Sequence, residues 1–232
     1  MKTALVTGGN KGIGLALTRY LLQRNHHVIV LARDFVGFDY VDHADVTMVN
    51  YDLNDIVGIP ALIASLKPID VLINNAGIML SLPYDDYPQD KIDQIMKINI
   101  EAPIALIREV SKHMIAQQSG RIVNNASIAG QIGHPDIWYG ISKAGLINAT
   151  KSFAKLLGPE GIVINAVAAS PVDTEMLAVI PEHRKTMFKQ STVAGRFAEP
   201  QEVAEAIGWL ATESPDYING SCIDINNGSY LR

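Results

Sequence analysis

Seven short apolar runs, most of them separated by segments of helical period, constrain this chain more than any other feature. The runs are Ala4–Thr7, Val28–Ala32, Val46–Tyr51, Val71–Asn74, Arg121–Asn125, Ile162–Val167 and Ser221–Ile225. Each is brief, rich in Val or Ile and close to continuously apolar, as a strand covered on both faces must be. Between most of them, helical spacing runs through Gly12–Gln23, Ile59–Leu66, Lys91–Gln117, Tyr139–Leu157 and Gln201–Thr212. Strands that alternate with helices pair in parallel through crossovers, with the helices on both faces of the sheet. No repeat, low-complexity tract or linker interrupts the 232 residues. The spacing therefore predicts one doubly wound α/β domain over 1–232, with a mostly parallel seven-stranded sheet. One link departs from the pattern. Residues 33–44 are poorly periodic and too short for a helical crossover, so a loop or a stub of helix is expected there.

Composition excludes several classes of function. A net charge of −5 offers no electrostatic footprint for nucleic acid or an anionic membrane. The six histidines lack metal-ligand spacing, and the adjacent His26 and His27 precede an apolar run, where a strand-edge role is expected. Cys222 is the single cysteine, so no intramolecular disulfide can form and a reducing compartment suits the chain. The N-terminus does not read as a targeting signal, and no apolar run approaches the length of a membrane span. A cytoplasmic protein is expected.

The first predicted strand runs directly into Thr7-Gly8-Gly9-Asn10-Lys11-Gly12-Ile13-Gly14, which opens the first predicted helix. In that context glycines let the backbone approach a ligand closely, and a helix N-terminus attracts an anionic phosphate. A plain tight turn would also use glycines, but the strand–turn–helix placement favours a dinucleotide. The end of the second strand bears on which one. Leu31-Ala32-Arg33-Asp34 offers both signs of charge: Arg33 suits a 2′-phosphate, and Asp34, if turned inward, a ribose hydroxyl. Lys11 could approach the same 2′-phosphate. NADP(H) is the favoured cofactor, with NAD(H) as the alternative.

Farther along, Ser127 precedes Tyr139-Gly140-Ile141-Ser142-Lys143. Four residues apart on a helix, Tyr139 and Lys143 share a face. A free phenol titrates near pH 10 and relays protons poorly at neutrality, whereas a neighbouring ammonium favours the phenolate. Taken alone, the tyrosine–lysine spacing also fits an ordinary surface pair, and a lone Ser127 fits a cap.

The ordered set Thr7–Gly14, Asn74-Asn75-Ala76-Gly77, Asn99, Ser127 and Tyr139-x-x-x-Lys143 resembles the short-chain dehydrogenase/reductase family over essentially the whole chain, most closely its 3-oxoacyl-carrier-protein reductase type. The resemblance implies a Rossmann domain and hydride transfer between a nicotinamide and a carbonyl or secondary alcohol. It implies Tyr139 as general acid/base, Ser127 orienting the substrate oxygen, Lys143 lowering the tyrosine pKa and holding the nicotinamide ribose, and Asn99 anchoring a water that links Lys143 to solvent. It further assigns cofactor contacts to Gly8, Asn10, Lys11, Gly12, Ile13, Gly14, Arg33, Asp52, Leu53, Asn75, Ala76, Gly77, Tyr139, Lys143, Val172 and Thr174, with no metal. Arg33 stands at the family's basic NADP position, and Ala32 replaces its NAD-type acid.

A small-molecule or acyl-thioester carbonyl substrate and a homo-tetramer or dimer are implied as well. Departures are Ala169-Ser170-Pro171 where the family usually has Pro-Gly, a shortened stretch between Ser127 and Tyr139, and Asn226-Asn227-Gly228 near the C-terminus. Residues 173–198 read as a substrate lid, apolar at Met176, Leu177, Ile180, Met187 and Phe188 with a basic rim at His183-Arg184-Lys185. An amphipathic surface helix pair is the other reading of that stretch. An NAD-linked sugar or polyol dehydrogenase and a non-catalytic nicotinamide sensor are the rival functions.

Overall fold

The computed structural model describes residues 1–232. Its seven strands are β1 (Lys2–Thr7), β2 (His26–Ala32), β3 (Val46–Asn50), β4 (Val71–Asn74), β5 (Gly120–Asn125), β6 (Ile162–Ala169) and β7 (Cys222–Ile225). They form one sheet in the order β3-β2-β1-β4-β5-β6-β7, and every pairing is parallel. The sheet is thus wholly parallel rather than mostly so.

Strand periodicity divides the core in two. On β1 and β2, Ala4, Val6, Val28 and Val30 point to one face, while Leu5, Ile29 and Leu31 point to the other. The first face is covered by α1 (Gly12–Leu22) and α7 (Pro200–Thr212) through Leu17, Leu21, Val203 and Ile207. The second is covered by α2 (Ile59–Ser65) and α4 (Ala102–Ala116) through Ile59, Leu106, Ile107 and Val110, with Ala154 of α5 (Ile137–Leu157) joining them. Two further helices are α3 (Gln89–Met96) and α6 (Glu182–Ser191).

The predicted helix Lys91–Gln117 is divided. A π-helical stretch, Lys97–Glu101, separates α3 from α4 and carries the fully buried Asn99. The link after Arg33 holds no helix, as expected. Aromatic side chains cover the sheet there: Phe38 is buried in the first core, and Phe35 and Tyr40 flank it with ring centroids 5.7 and 5.8 Å away.

Strand order reverses between β1, which leads outward through β2 and β3, and β4, which leads through β5 to β7. The loops after β1 and β4 therefore diverge to opposite sides and leave a crevice beyond the strand ends. The chain's chemically distinctive residues emerge at that crevice.

Candidate active site

The glycine turn is shaped by close approaches. Gly8 and Gly12 sit at φ +64° and +53°, in the left-handed region open mainly to glycine. A Cβ on Gly14 would lie 1.9 Å from the Gly8 carbonyl oxygen, so this glycine lets α1 start directly against the turn. Gly14 is buried and does not face the cavity; its contribution is to the shape of the turn. No side chain caps the N-terminus of α1, which leaves its first amides available to an anion.

A cavity of about 570 Å³ opens beyond the strand ends. Its wall brings together Gly8, Asn10, Lys11, Gly12, Ile13, Arg33, Asp52, Leu53, Asn75, Ala76, Gly77, Val172 and Thr174 with Ser127, Tyr139 and Lys143. Of the catalytic and cofactor-contact residues expected from the sequence, Gly14 and Asn99 alone stand behind this wall. The left-handed glycines, the open helix terminus and Arg33 suit the phosphates of the dinucleotide that the sequence implies. Arg33 forms no ion pair. Asp34 is occupied locally: its Oδ1 accepts the Val36 amide at 3.4 Å and its backbone oxygen accepts Asn10 Nδ2 at 2.9 Å. Lys11 reaches across the cleft to Glu175, with Nζ 2.7 Å from Oε2. Both side chains of that pair are largely exposed.

The turn is tied to β4 by asparagine and threonine side chains. Thr7 Oγ1 accepts the Asn75 and Ala76 amides, each at 3.0 Å, and Asn75 Nδ2 donates to the carbonyls of Thr7 at 3.0 Å and Gly8 at 3.3 Å. Asn99 Oδ1 accepts the Ile78 amide at 2.9 Å, while its Nδ2 donates to the Ile78 carbonyl at 2.9 Å and to Ser142 Oγ at 3.0 Å. Its side chain thus clamps the segment after β4 to α5 and has no face on the cavity.

Ser127 follows β5 and caps a short 3₁₀ turn, its Oγ accepting the Ala129 amide at 3.1 Å. Tyr139 lies in the first turn of α5, and Lys143 one turn later donates from Nζ to the Asn125 carbonyl at 2.8 Å. Both side chains are buried. Their electrostatics run against the simple expectation of an ammonium lowering a phenol. Burial raises the Tyr139 pKa and the charge of Asp136 raises it further, whereas the hydrogen bond with Ser127 opposes that rise. Lys143 Nζ sits 5.7 Å from the centre of the tyrosine ring.

Asp136 lies in the shortened stretch 133–136, where the sequence suggests an altered pocket wall, but its role as a clamp was not anticipated. It caps α5 by accepting the Tyr139 amide at 3.1 Å, and it also accepts the Leu80 and Ser81 amides and the Tyr87 hydroxyl at 2.8–3.2 Å. An aspartate three residues before Tyr139 is the N-cap signal that could have revealed it. His134, in the same shortened stretch, does line the cavity, with its ring centroid 5.3 Å from that of Tyr139; Met79, Leu80 and Ile132 line it too and were not anticipated. They come from loops whose path follows from packing.

In the stretch read as a lid, a 3₁₀ segment, Glu175–Val179, precedes α6. Met176, Leu177, Ile180 and Phe188 face the cavity, whereas Met187 is exposed. The basic rim is partly neutralised, because Lys185 pairs with Glu182 at 2.7 Å. The departing segment Ala169-Ser170-Pro171 also lines the cavity.

Burial pushes the Lys143 ammonium down from its ordinary 10.5 to about 8. Between those values the unfolded chain binds more protons than the folded one, so the stability of the free protein rises with pH across that window. The cost of burying the charge is fully present below pH 8 and gone above pH 10.5. Lys143→Met is therefore expected to stabilise the free protein at pH 7 by up to about 3 kcal/mol. The gain should fade toward pH 10.5 in urea unfolding; an equal gain at both pH values would contradict the assignment.

The family model described as Enoyl-(Acyl carrier protein) reductase, a short-chain dehydrogenase model, matches residues 8–229. The 3-oxoacyl-[acyl-carrier-protein] reductase FabG of Rickettsia bellii (strain RML369-C) is 33% identical over 236 residues, covering 99% of this chain and 97% of its own. A solved structure titled a 4-hydroxyisoleucine dehydrogenase complexed with NADH superposes with a TM-score of 0.93 at 29% identity, covering 99% of this chain and 98% of its own. A second structure, ElxO with NADP bound, has a TM-score of 0.88 at 28% identity and covers 98% of each chain. No helix here is long and apolar enough to cross a membrane. With a family model over nearly its full length and a relative this similar, the chain belongs to the short-chain dehydrogenase/reductase family of NAD(P)-dependent oxidoreductases.

Proposed function

We propose that the protein is an NADP(H)-dependent reductase of a small or acyl-thioester carbonyl, using Ser127, Tyr139 and Lys143 as its reacting residues. The observation that carries this reading is their convergence on the same cavity as the glycine turn and Arg33. When bound, the reduced nicotinamide supplies the hydride. Tyr139 delivers the matching proton to the carbonyl oxygen. Its burial and the nearby Asp136 charge keep the phenol protonated, which is the donor form. Ser127 donates a hydrogen bond to that oxygen and fixes its orientation. Lys143 binds the nicotinamide-side ribose, and Asn99 holds the Ile78 segment and α5 in register behind it. Glycines 8, 12 and 14 with Asn10, Lys11 and Ile13 shape the phosphate end, and Asp52, Leu53, Asn75, Ala76 and Gly77 flank the adenosine. Val172 and Thr174 close over the nicotinamide side.

The apolar wall supplied by Met79, Leu80, Ile132, Met176, Leu177 and Phe188 suits an acyl or alkyl chain. Residues 173–198 act as its lid. The acyl-carrier reductase names of the similar proteins support a thioester substrate. NAD(H) use is the second reading: the Lys11–Glu175 pair leaves Arg33 to meet a 2′-phosphate alone, and one similar structure holds NADH. Assembly as a dimer or tetramer is supported by exposed apolar residues on α5, Ile137, Ile141 and Leu156.

An NADPH-oxidation screen over β-ketoacyl thioesters, quinones, ketosteroids and small diketones tests the activity, and no turnover on any would count against it. Tyr139→Phe is expected to lower turnover by roughly 10²–10⁴ with NADPH binding retained; full activity would rule out the mechanism. Arg33→Ala should weaken NADPH binding about tenfold and leave NADH unchanged, and equal affinities for both in both proteins would refute the NADP preference. Light scattering should report two or four subunits, and a monomer would overturn the assembly.

A further inference from the structure

Asn125 ends β5 at the cavity, and two of its three polar groups that bear on the site are already used. Its backbone carbonyl accepts Lys143 Nζ at 2.8 Å, and its side-chain Nδ2 donates to Asn75 Oδ1 at 3.0 Å. The orientation of this amide is forced by the chain of donors behind it. Asn75 spends its own Nδ2 on the Thr7 and Gly8 carbonyls, which can only accept. Asn75 must therefore turn its oxygen to Asn125, and Asn125 must answer with its NH₂. The Asn125 Oδ1 is left pointing away from Asn75 with no donor at all, in a residue only 8% exposed. Flipping the amide would set two oxygens against each other and gain nothing.

A buried acceptor without a partner is costly, and its retention at a ligand cavity calls for a donor that arrives with the ligand. Asn74 Oδ1 is also unpaired, but Asn74 does not reach the cavity. Asn125 does, and it sits where the glycine turn, through Asn75, meets Lys143. The donors that a dinucleotide carries beside Lys143 are hydroxyls of its nicotinamide-side ribose. We propose that Asn125 Oδ1 accepts a hydrogen bond from a hydroxyl of that ribose, an inference that rests on the cofactor reading given above. Asn125 then ties the two halves of the dinucleotide to one amide: the adenosine half through Asn75 and the turn, the nicotinamide half directly.

The test uses wild type and Asn125→Leu, with Asn125→Ala as the second variant if the leucine protein does not fold. Calorimetric titrations with NADPH and with 2′,5′-ADP, which lacks the nicotinamide half, are set beside NADH and 5′-ADP, the pair without the 2′-phosphate. The free variant loses one unpaired oxygen and leaves another on Asn75, so its melting temperature should move little. The full dinucleotides are expected to bind about three- to tenfold more weakly to the variant, while the two adenosine fragments bind unchanged. Equal dinucleotide affinity in variant and wild type overturns the contact. An equal loss on dinucleotides and fragments also overturns it, placing the effect in Asn75 and the turn. Wild type that binds neither NADPH nor NADH overturns the cofactor reading itself, and this inference with it.

Discussion

The pairing of β1 with β4 at the centre of the sheet is the constraint on which the rest of the molecule depends. Thr7 closes β1, and its hydroxyl receives both amides that follow β4, while Asn75 returns its own amide to the end of β1. Parallel strands end on the same edge, so this knot brings the glycine turn and the Asn75–Gly77 segment side by side. Neighbouring strands then add further site elements: β5 brings Ser127 and Asn125, and β6 brings Ala169-Ser170-Pro171. The carboxyl edge of the sheet thereby gathers the polar groups of the site above a core whose two faces are almost wholly aliphatic.

Electrostatics at that edge are governed by burial more than by pairing. Tyr139 and Lys143 are both removed from water, and each shifts toward its neutral form. The free protein thus holds a protonated phenol beside an ammonium whose charge is costly, and the nearest fixed anion, Asp136, reinforces the phenol. A ligand that brings hydrogen-bond acceptors to Lys143 would recover part of that cost. Ligand binding at this cavity would in this way be linked to the protonation of one buried lysine.

The clamps behind the cavity share a common form. Asn99 grips both backbone groups of Ile78, and Asp136 grips the amides of Leu80 and Ser81. Together they hold the loop after β4 against α5, so the wall that carries Met79 and Leu80 keeps a set distance from Tyr139. Neither side chain needs to meet a ligand to control how one is placed.

Much of this was legible in the chain because it depends on local spacing. Near-continuous apolarity in the strands, the strand–glycine–helix order at Thr7–Gly14 and the Tyr139–Lys143 interval are all short-range properties, and they specified the layers, the crevice and two of the side chains that line it. The helix missing after Arg33 was equally visible, since residues 33–44 are poorly periodic, and they join the parallel β2 and β3 without one. What tertiary structure decided was the partner of each polar side chain. Lys11 meets Glu175 across 164 positions of sequence, Asn125 meets Asn75 across 50, and Asp136 reaches back 55 and 56 positions to Ser81 and Leu80. Which of these groups ends paired, and which oxygen is left without a donor, follows from the meeting of distant loops. No local pattern encodes that meeting, because side-chain hydrogen bonds depend on where backbones converge and not on their order along the chain.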